Sequence, residues 1–268
     1  MIDRRIGAEM RSLIALLTLL TMLSGCATGG DALKLLIGPE PRSSQGMNVG
    51  IGDLINRGPD YGVRLGKYLD EIAAAGYKHE VRMVVNRGWG PQFVQYGAPE
   101  LRKRGFKLLA ILSEGNQAGP PDLEADIAWA RLAIPQIRDL LVAIELTNEP
   151  WQVIPSMHIV AFPPAEYVAW NNALYTEVKR LAPEVPVWIQ AIDRDWWYKA
   201  ASLHPQYDAI SLHLYGKGDP IPHGIQPPYH VSETERTDIQ AQDVYLYVWQ
   251  GIGDDARWAI RPGGGILP

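Results

Sequence analysis

The sequence predicts an α/β protein folded as a (β/α)8 TIM-like barrel, atypical or incomplete in its C-terminal third. Three observations lead there. Strand-like and helix-like segments alternate five times over, at spacings that suit crossovers between parallel strands. Removal of a 25-residue leader would leave 243 of the 268 residues, close to the ~250 of one such barrel. No Gly-x-Gly-x-x-Gly or phosphate-loop lysine motif follows any strand, so a doubly wound nucleotide-binding sheet lacks its usual signature.

Taken in order, Leu33–Ile37 is a short apolar run closed by Gly38-Pro39 and reads as a first strand or its approach. A loop punctuated by Gly and Pro follows. Residues Tyr61–Ala75 carry Val63, Leu65, Tyr68, Leu69 and Ile72 near helical spacing, with Gly76 as the stop. Glu80–Val85 reads as the second strand and Asn86–Gly90 as the loop after it. Pro99–Arg104 is helical, and Phe106–Leu112 is the third strand. Asp122–Arg138 is a helix with Leu123, Ile127, Ala130, Ile134 and Ile137 spaced by three or four.

Leu141–Thr147 is strand four, apolar enough to be covered on both faces as in a parallel sheet. Proline at 150 has no amide hydrogen for a ladder, so the strand stops near it and leaves Glu149 on the C-terminal rim. Pro164–Leu181 is a helix with Tyr167, Trp170, Leu174 and Val178 on one face. Val187–Ile192 is strand five, Trp196–Leu203 a short helix and Tyr207–Tyr215 strand six.

The last fifty residues are harder to place. Four prolines between Lys217 and Tyr229 delete the helix due after strand six, and Tyr229–Glu233 is strand seven. Thr237–Gln250 has a core of strand composition, Val-Tyr-Leu-Tyr-Val. Its stripe of Ala241, Val244, Tyr245, Val248 and Ile252, with a Thr237/Gln240 capping box, favours helix. Ala256–Ile260 would then be strand eight, with no closing helix after it.

Composition narrows the partners. The chain is 47% hydrophobic and 21% charged with a net charge of −5. Residues 1–25 carry +1, which leaves −6 on the remainder, and nothing basic enough to bind nucleic acid. Arg4, Arg5 and Arg11 precede an 11-residue apolar run, Leu13–Leu23, too short to span a bilayer and suited to the core of a signal peptide. Leu23-Ser24-Gly25-Cys26 resembles the lipobox of bacterial lipoproteins. On that resemblance residues 1–25 are removed, Cys26 carries a lipid, residues 26–32 form a tether, and the catalytic domain spans 33–268. Ala27 in place of aspartate leans the anchor towards the outer membrane of the cell envelope. A secretory signal cleaved near Ala27 is the alternative.

A barrel presents chemistry from the C-terminal ends of its strands. Glu149 ends strand four and Glu233 ends strand seven. Two carboxyls about 5–5.5 Å apart, one an acid/base and one a nucleophile, cleave a glycosidic bond with retention. Asn148-Glu149-Pro150, His213-Leu214-Tyr215 and Val231-Ser232-Glu233-Thr234, in that order at the ends of strands four, six and seven, resemble the clan A retaining glycoside hydrolases (family 5 or family 39). Arg82 matches an arginine that many of them carry on strand two.

The resemblance covers residues 33–235. It implies a β-linked glycan as substrate, with Glu149 as an acid/base of raised pKa and Glu233 as the nucleophile. It further implies Asn148 on the sugar 2-hydroxyl, Arg82 and Tyr215 holding the nucleophile ionised, and His213 lining the cleft. No metal or cofactor is needed. Trp89 and Trp151, in rim loops, are candidate sugar platforms.

Rival readings stand beside these. Arg82 can instead neutralise Glu145, which shares the inward strand face with Glu149. His213 can be a core histidine, and Glu149 a helix N-terminal carboxylate. Glu235 shares the strand parity of Glu233. A degenerate barrel that binds a polysaccharide without cutting it is the alternative for the whole chain.

Overall fold

In the computed structural model of the protein, eight parallel strands pair in sequence order and close into a barrel, β8 returning to β1. The structure describes residues 45–49, 60–113, 122–153, 161–192, 194–215, 220–225, 228–234, 241 and 244–246. The strands are β1 (Gln45–Asn48), β2 (Glu80–Val84), β3 (Lys107–Ser113), β4 (Leu141–Thr147), β5 (Val187–Ala191), β6 (Ala209–Leu214), β7 (His230–Thr234) and β8 (Val244–Leu246). The helices are α1 (Asp60–Ala74), α2 (Ala98–Arg104), α3 (Leu123–Ile137), α4 (Pro164–Leu181) and α5 (Asp195–Ala201). A short helical turn, Gly90–Gln92, and a π-helical turn, Phe93–Gly97, lead into α2. Among the described residues no helix lies between β6 and β7, as the four prolines predict, and none is long and apolar enough to cross a membrane.

Two expected strands sit elsewhere. β1 is Gln45–Asn48, inside the stretch that reads as a loop, while Leu33–Ile37 lies outside the described residues. The reason is geometric. A Cβ on Gly46 would come within 2.6 Å of the Tyr245 ring, so this glycine serves a close approach of β1 to β8 and not a turn. Val244–Leu246 is strand β8, which corrects the helix expected over Thr237–Gln250: pairing with both β7 and β1 overrides a helical stripe. With that place taken, Ala256–Ile260 is not strand eight, and it lies outside the described residues.

The core has two parts. Between sheet and helices, Leu65, Leu69, Phe93, Ile134 and Leu174 pack with outward strand residues such as Val81 and Ile144. Inside the barrel a separate cluster joins Leu109, Ala143, Trp188 and Tyr245, with His230 stacked on Trp188 at 3.9 Å between ring centres. Trp129 and Trp170 are buried between helices and sheet, whereas Trp188 fills the barrel itself. This apolar floor leaves the inward positions above it to polar groups.

Candidate active site

Strand parity builds the upper barrel. Arg82, Glu145, Gln190 and Ser211 face inward in the middle of their strands and are all but excluded from solvent. Glu145 is 0% exposed and Arg82 2%. An ion so deep survives only if paired and hydrogen-bonded. Arg82 Nε donates to Glu145 Oε2 at 2.7 Å, Ser211 Oγ to Oε1 at 2.7 Å, and Gln190 Nε2 to Oε2 at 3.0 Å. Burial pushes the Glu145 carboxyl up, but the Arg82 and His213 charges and the Ser211 hydrogen bond together outweigh it and hold the group below the usual carboxylate range.

The same guanidinium reaches upward. Arg82 Nη1 donates to Glu233 Oε1 and, at 3.0 Å, to Asn48 Oδ1; Nη2 donates to Asn148 Oδ1 at 2.8 Å. Both readings of Arg82 therefore hold together: it neutralises Glu145 and grips Glu233. Tyr215 OH donates to Glu233 Oε2, so each oxygen of that carboxylate has a donor.

Glu233 faces inward because β7 contains a bulge. Leu212 pairs with Val231, yet His213 pairs with Glu233; on the other side Val231 pairs with Val244 and Thr234 with Leu246. Ser232 is thus one residue more than either neighbour supplies. His230 points into the barrel, and three residues later strict alternation would point Glu233 out. The bulge restores it. Asn48 Nδ2 donates to the Ser232 carbonyl at 2.9 Å, giving the bulge a partner on the inner wall. The rival, Glu235, lies outside the described residues.

Glu149 is placed by a turn, not a helix, which removes the helix-terminus reading. Its φ is +42°, a left-handed conformation rare for a side-chain-bearing residue. Its carbonyl accepts from Gln152 N at 2.9 Å across Pro150-Trp151, and its own N–H donates to Gln190 Oε1 at 2.6 Å. His213 Nδ1 lies 2.9 Å from Glu149 Oε1 and 3.4 Å from Glu233 Oε2. Burial opposes an imidazolium here, but the two flanking carboxylates, Glu233 first, raise His213 above its ordinary value. Burial likewise pushes Glu149 up, while the hydrogen bond and charge of His213 hold it down. The raised Glu149 expected from sequence is therefore corrected: its contact with His213 holds it below the ordinary glutamate value.

Ligand atoms of Glu149, His213 and Glu233 all lie within 4.8 Å of one another. Those three could present donors to a cation, but the Glu233 carboxylate already binds Arg82, and a further positive charge would face that guanidinium. The arrangement suits a polarised bond between two carboxylates better.

Trp151 lines a cleft of about 330 Å³ with Glu149, Arg194, His213, Tyr215 and Pro222. The residue is 6% exposed, and its ring packs edge-on against Trp196 and His213 in the cleft wall. Trp89 does not line this cleft; it sits in the loop after β2, where its N–H bonds Asn86 Oδ1 at 2.9 Å. Cys26 lies outside the described residues. Sequence reasoning misses Asn48, because its strand is hidden, and Gln190 and Ser211, whose signal is a polar side chain inside an apolar strand.

No protein-family model matches the chain, and no curated protein does. Solved structures do match in fold. A β-mannanase from Streptomyces thermolilacinus, solved with mannohexaose, superposes with a TM-score of 0.54 at 13% identity over 81% of each chain. The virulence factor SghA from Agrobacterium tumefaciens gives 0.50 at 12%, over 75% of this chain and 79% of that one. The exo-β-1,4-mannosidase Op5Man5 from Opitutaceae bacterium strain TAV5 gives 0.48 at 17%, over 63% of this chain, which spans only 38% of that enzyme. The likeness is one of fold, a closed parallel barrel.

Proposed function

We propose that the protein is a retaining glycoside hydrolase acting on a β-linked glycan, with Glu149 and Glu233 as its catalytic pair. The observation that carries this reading is their placement: carboxylate oxygens within 4.8 Å, on the C-terminal ends of β4 and β7. One oxygen of each lying that close suits the ~5–5.5 Å separation of a double displacement better than the ~6.5–9.5 Å that leaves room for an inverting water.

In the first step a Glu233 oxygen attacks the anomeric carbon. The bond to the leaving oxygen breaks, and that oxygen takes a proton from Glu149. A covalent glycosyl-enzyme results. In the second step a water attacks the same carbon, gives its proton to Glu149 and frees Glu233. Arg82 and Tyr215 each hold one oxygen of Glu233 and aim it. The proton Glu149 must deliver is held in its hydrogen bond to His213. Asn148 turns Oδ1 to Arg82, so its Nδ2 is the donor left for the sugar 2-hydroxyl.

A panel of β-mannan, β-glucan and xylan, and of the corresponding aryl glycosides, tests this with wild type beside Glu149→Gln and Glu233→Gln. Turnover in wild type that survives both substitutions sinks the assignment. Glycan binding without turnover would support the polysaccharide-binding alternative. We also propose, from the Leu23-Ser24-Gly25-Cys26 motif, that Cys26 is lipidated and holds the enzyme at the cell envelope. A Cys26→Ala protein that still partitions with membranes would overturn that.

A further inference from the structure

We infer that Gln190 is a positioning residue for Glu149, a role that rests on the two-carboxylate reading above. Gln190 sits on β5 at 2% exposure, and both ends of its amide are engaged. Oε1 accepts the Glu149 N–H at 2.6 Å; Nε2 donates to Glu145 Oε2 at 3.0 Å and lies 3.4 Å from Asn148 Oδ1. One side chain from the neighbouring strand thereby ties the buried carboxylate at the middle of β4 to the turn that follows it.

The turn needs this tie. Glu149 carries φ of +42°, which L side chains avoid, and the proline after it restricts its backbone further. Strain of that kind persists only where the surroundings over-determine it. The Glu149 N–H lies beyond the last β4 residue, and its acceptor is Gln190. Glu145 keeps Arg82 and Ser211 if Gln190 is lost, so the effect of losing it falls on Glu149. The chemistry of the amide is specific. A carboxylate at 190 would still accept the N–H but would face Glu145 and Asn148 Oδ1 with oxygen. An asparagine is one methylene too short to span both.

Gln190→Met, close in size and without the acceptor, is the first variant, and Gln190→Leu, likewise without it, the second should the first fail to fold. The substrates are the 2,4-dinitrophenyl and phenyl β-glycosides of mannose and of glucose. A dinitrophenolate leaves without a proton and a phenolate needs one, so a misaimed Glu149 slows glycosyl-enzyme formation from the phenyl substrate by about 10–100-fold more than from the dinitrophenyl one. Equal slowing of both, or no slowing, overturns the proposal.

A second readout needs no substrate. The His213 imidazole, followed by NMR through a pH titration, should give up its proton at lower pH in either variant, because Glu149 Oε1 is no longer held against Nδ1. An unchanged titration in a folded variant also overturns it. If wild type cleaves nothing in the wider glycan panel, the hydrolase reading fails separately, and the His213 titration still decides whether Gln190 aims Glu149.

Discussion

The two corners of the cleft are held by different physics. At the β7 corner Glu233 is clamped by charge: a buried guanidinium on one oxygen, a phenol on the other, and a bulge that turns it inward. At the β4 corner Glu149 is held through its backbone, in a left-handed turn pinned by a neutral amide, and its carboxylate faces a histidine that shares its proton. On the reading proposed above, Glu233 as nucleophile has to stay still, whereas Glu149 as acid/base has to gain and lose a proton in every cycle. Strong fixed charge serves the first need and would defeat the second.

Removing the two carboxylates separately tests that division most strongly. Glu233→Ala and Glu149→Ala should each lose kcat steeply, by about 10⁴–10⁶-fold for the nucleophile and 10²–10⁴-fold for the acid/base. Added azide should then tell them apart. It enters from the open face in Glu233→Ala, giving an α-glycosyl azide from a β-glycoside, and attacks the covalent intermediate in Glu149→Ala, giving the β-azide. Exchanged products would swap the corners.

Next in size is the charge clamp. Arg82→Met leaves Glu145 buried without its cation, a loss of roughly 3–5 kcal/mol. Arg82→Met with Glu145→Met should regain most of it in denaturant melts yet stay poorly active, since Glu233 still lacks its guanidinium. Recovery of activity together with stability would mean that Arg82 serves the fold alone. Asn48→Ala, which strips the Ser232 carbonyl of its side-chain donor, should cost about 1–3 kcal/mol. It should also slow glycosyl-enzyme formation without making the rate more sensitive to the leaving group, because it acts at the Glu233 corner.

The smallest effect is on pH. Glu149, held low, takes up a proton only below the ordinary glutamate value of about 4.3; His213, held high, releases its proton only above about 6.5. Between those limits the pair holds one proton, so kcat should show a plateau there. In His213→Gln the main opposition to burial at Glu149 is gone, and its carboxyl then sets the alkaline limb alone. That limb should move to lower pH, since a glutamate freed of its partner still titrates below a raised histidine. An unmoved limb would take His213 out of the proton path.

Much of this is legible in the amino-acid order itself. β2 to β7 can be placed because their apolar runs are bounded by Gly and Pro, and Arg82, Asn148, Glu149, His213, Tyr215 and Glu233 all end or face predicted strands. β1 and β8 are not legible for one reason. They are four and three residues long, and pairing with each other defines them more than their own composition does. Asn48 is hidden with its strand. The inward turn of Glu233 is reached by motif alone, since the bulge at Ser232 has no local signature and strict alternation argues against it. The depressed Glu149 escapes sequence reasoning because burial can be guessed from a run of apolar residues, but the 2.9 Å approach of His213 cannot.

The extra residue in β7 also bears on how such a barrel changes trade. Deleting Ser232 would straighten the strand and keep Glu233 inward, two residues from His230, but would remove the carbonyl that Asn48 holds. What would turn the carboxylate outward is loss of the bulge at unchanged length: the same eight strands and the same floor of aromatic rings, with one carboxylate fewer in the cleft. Relatives of this barrel are therefore best sorted by whether the residue count from His230 to Glu233 and the pairing of β7 with β6 agree, before asking what they bind.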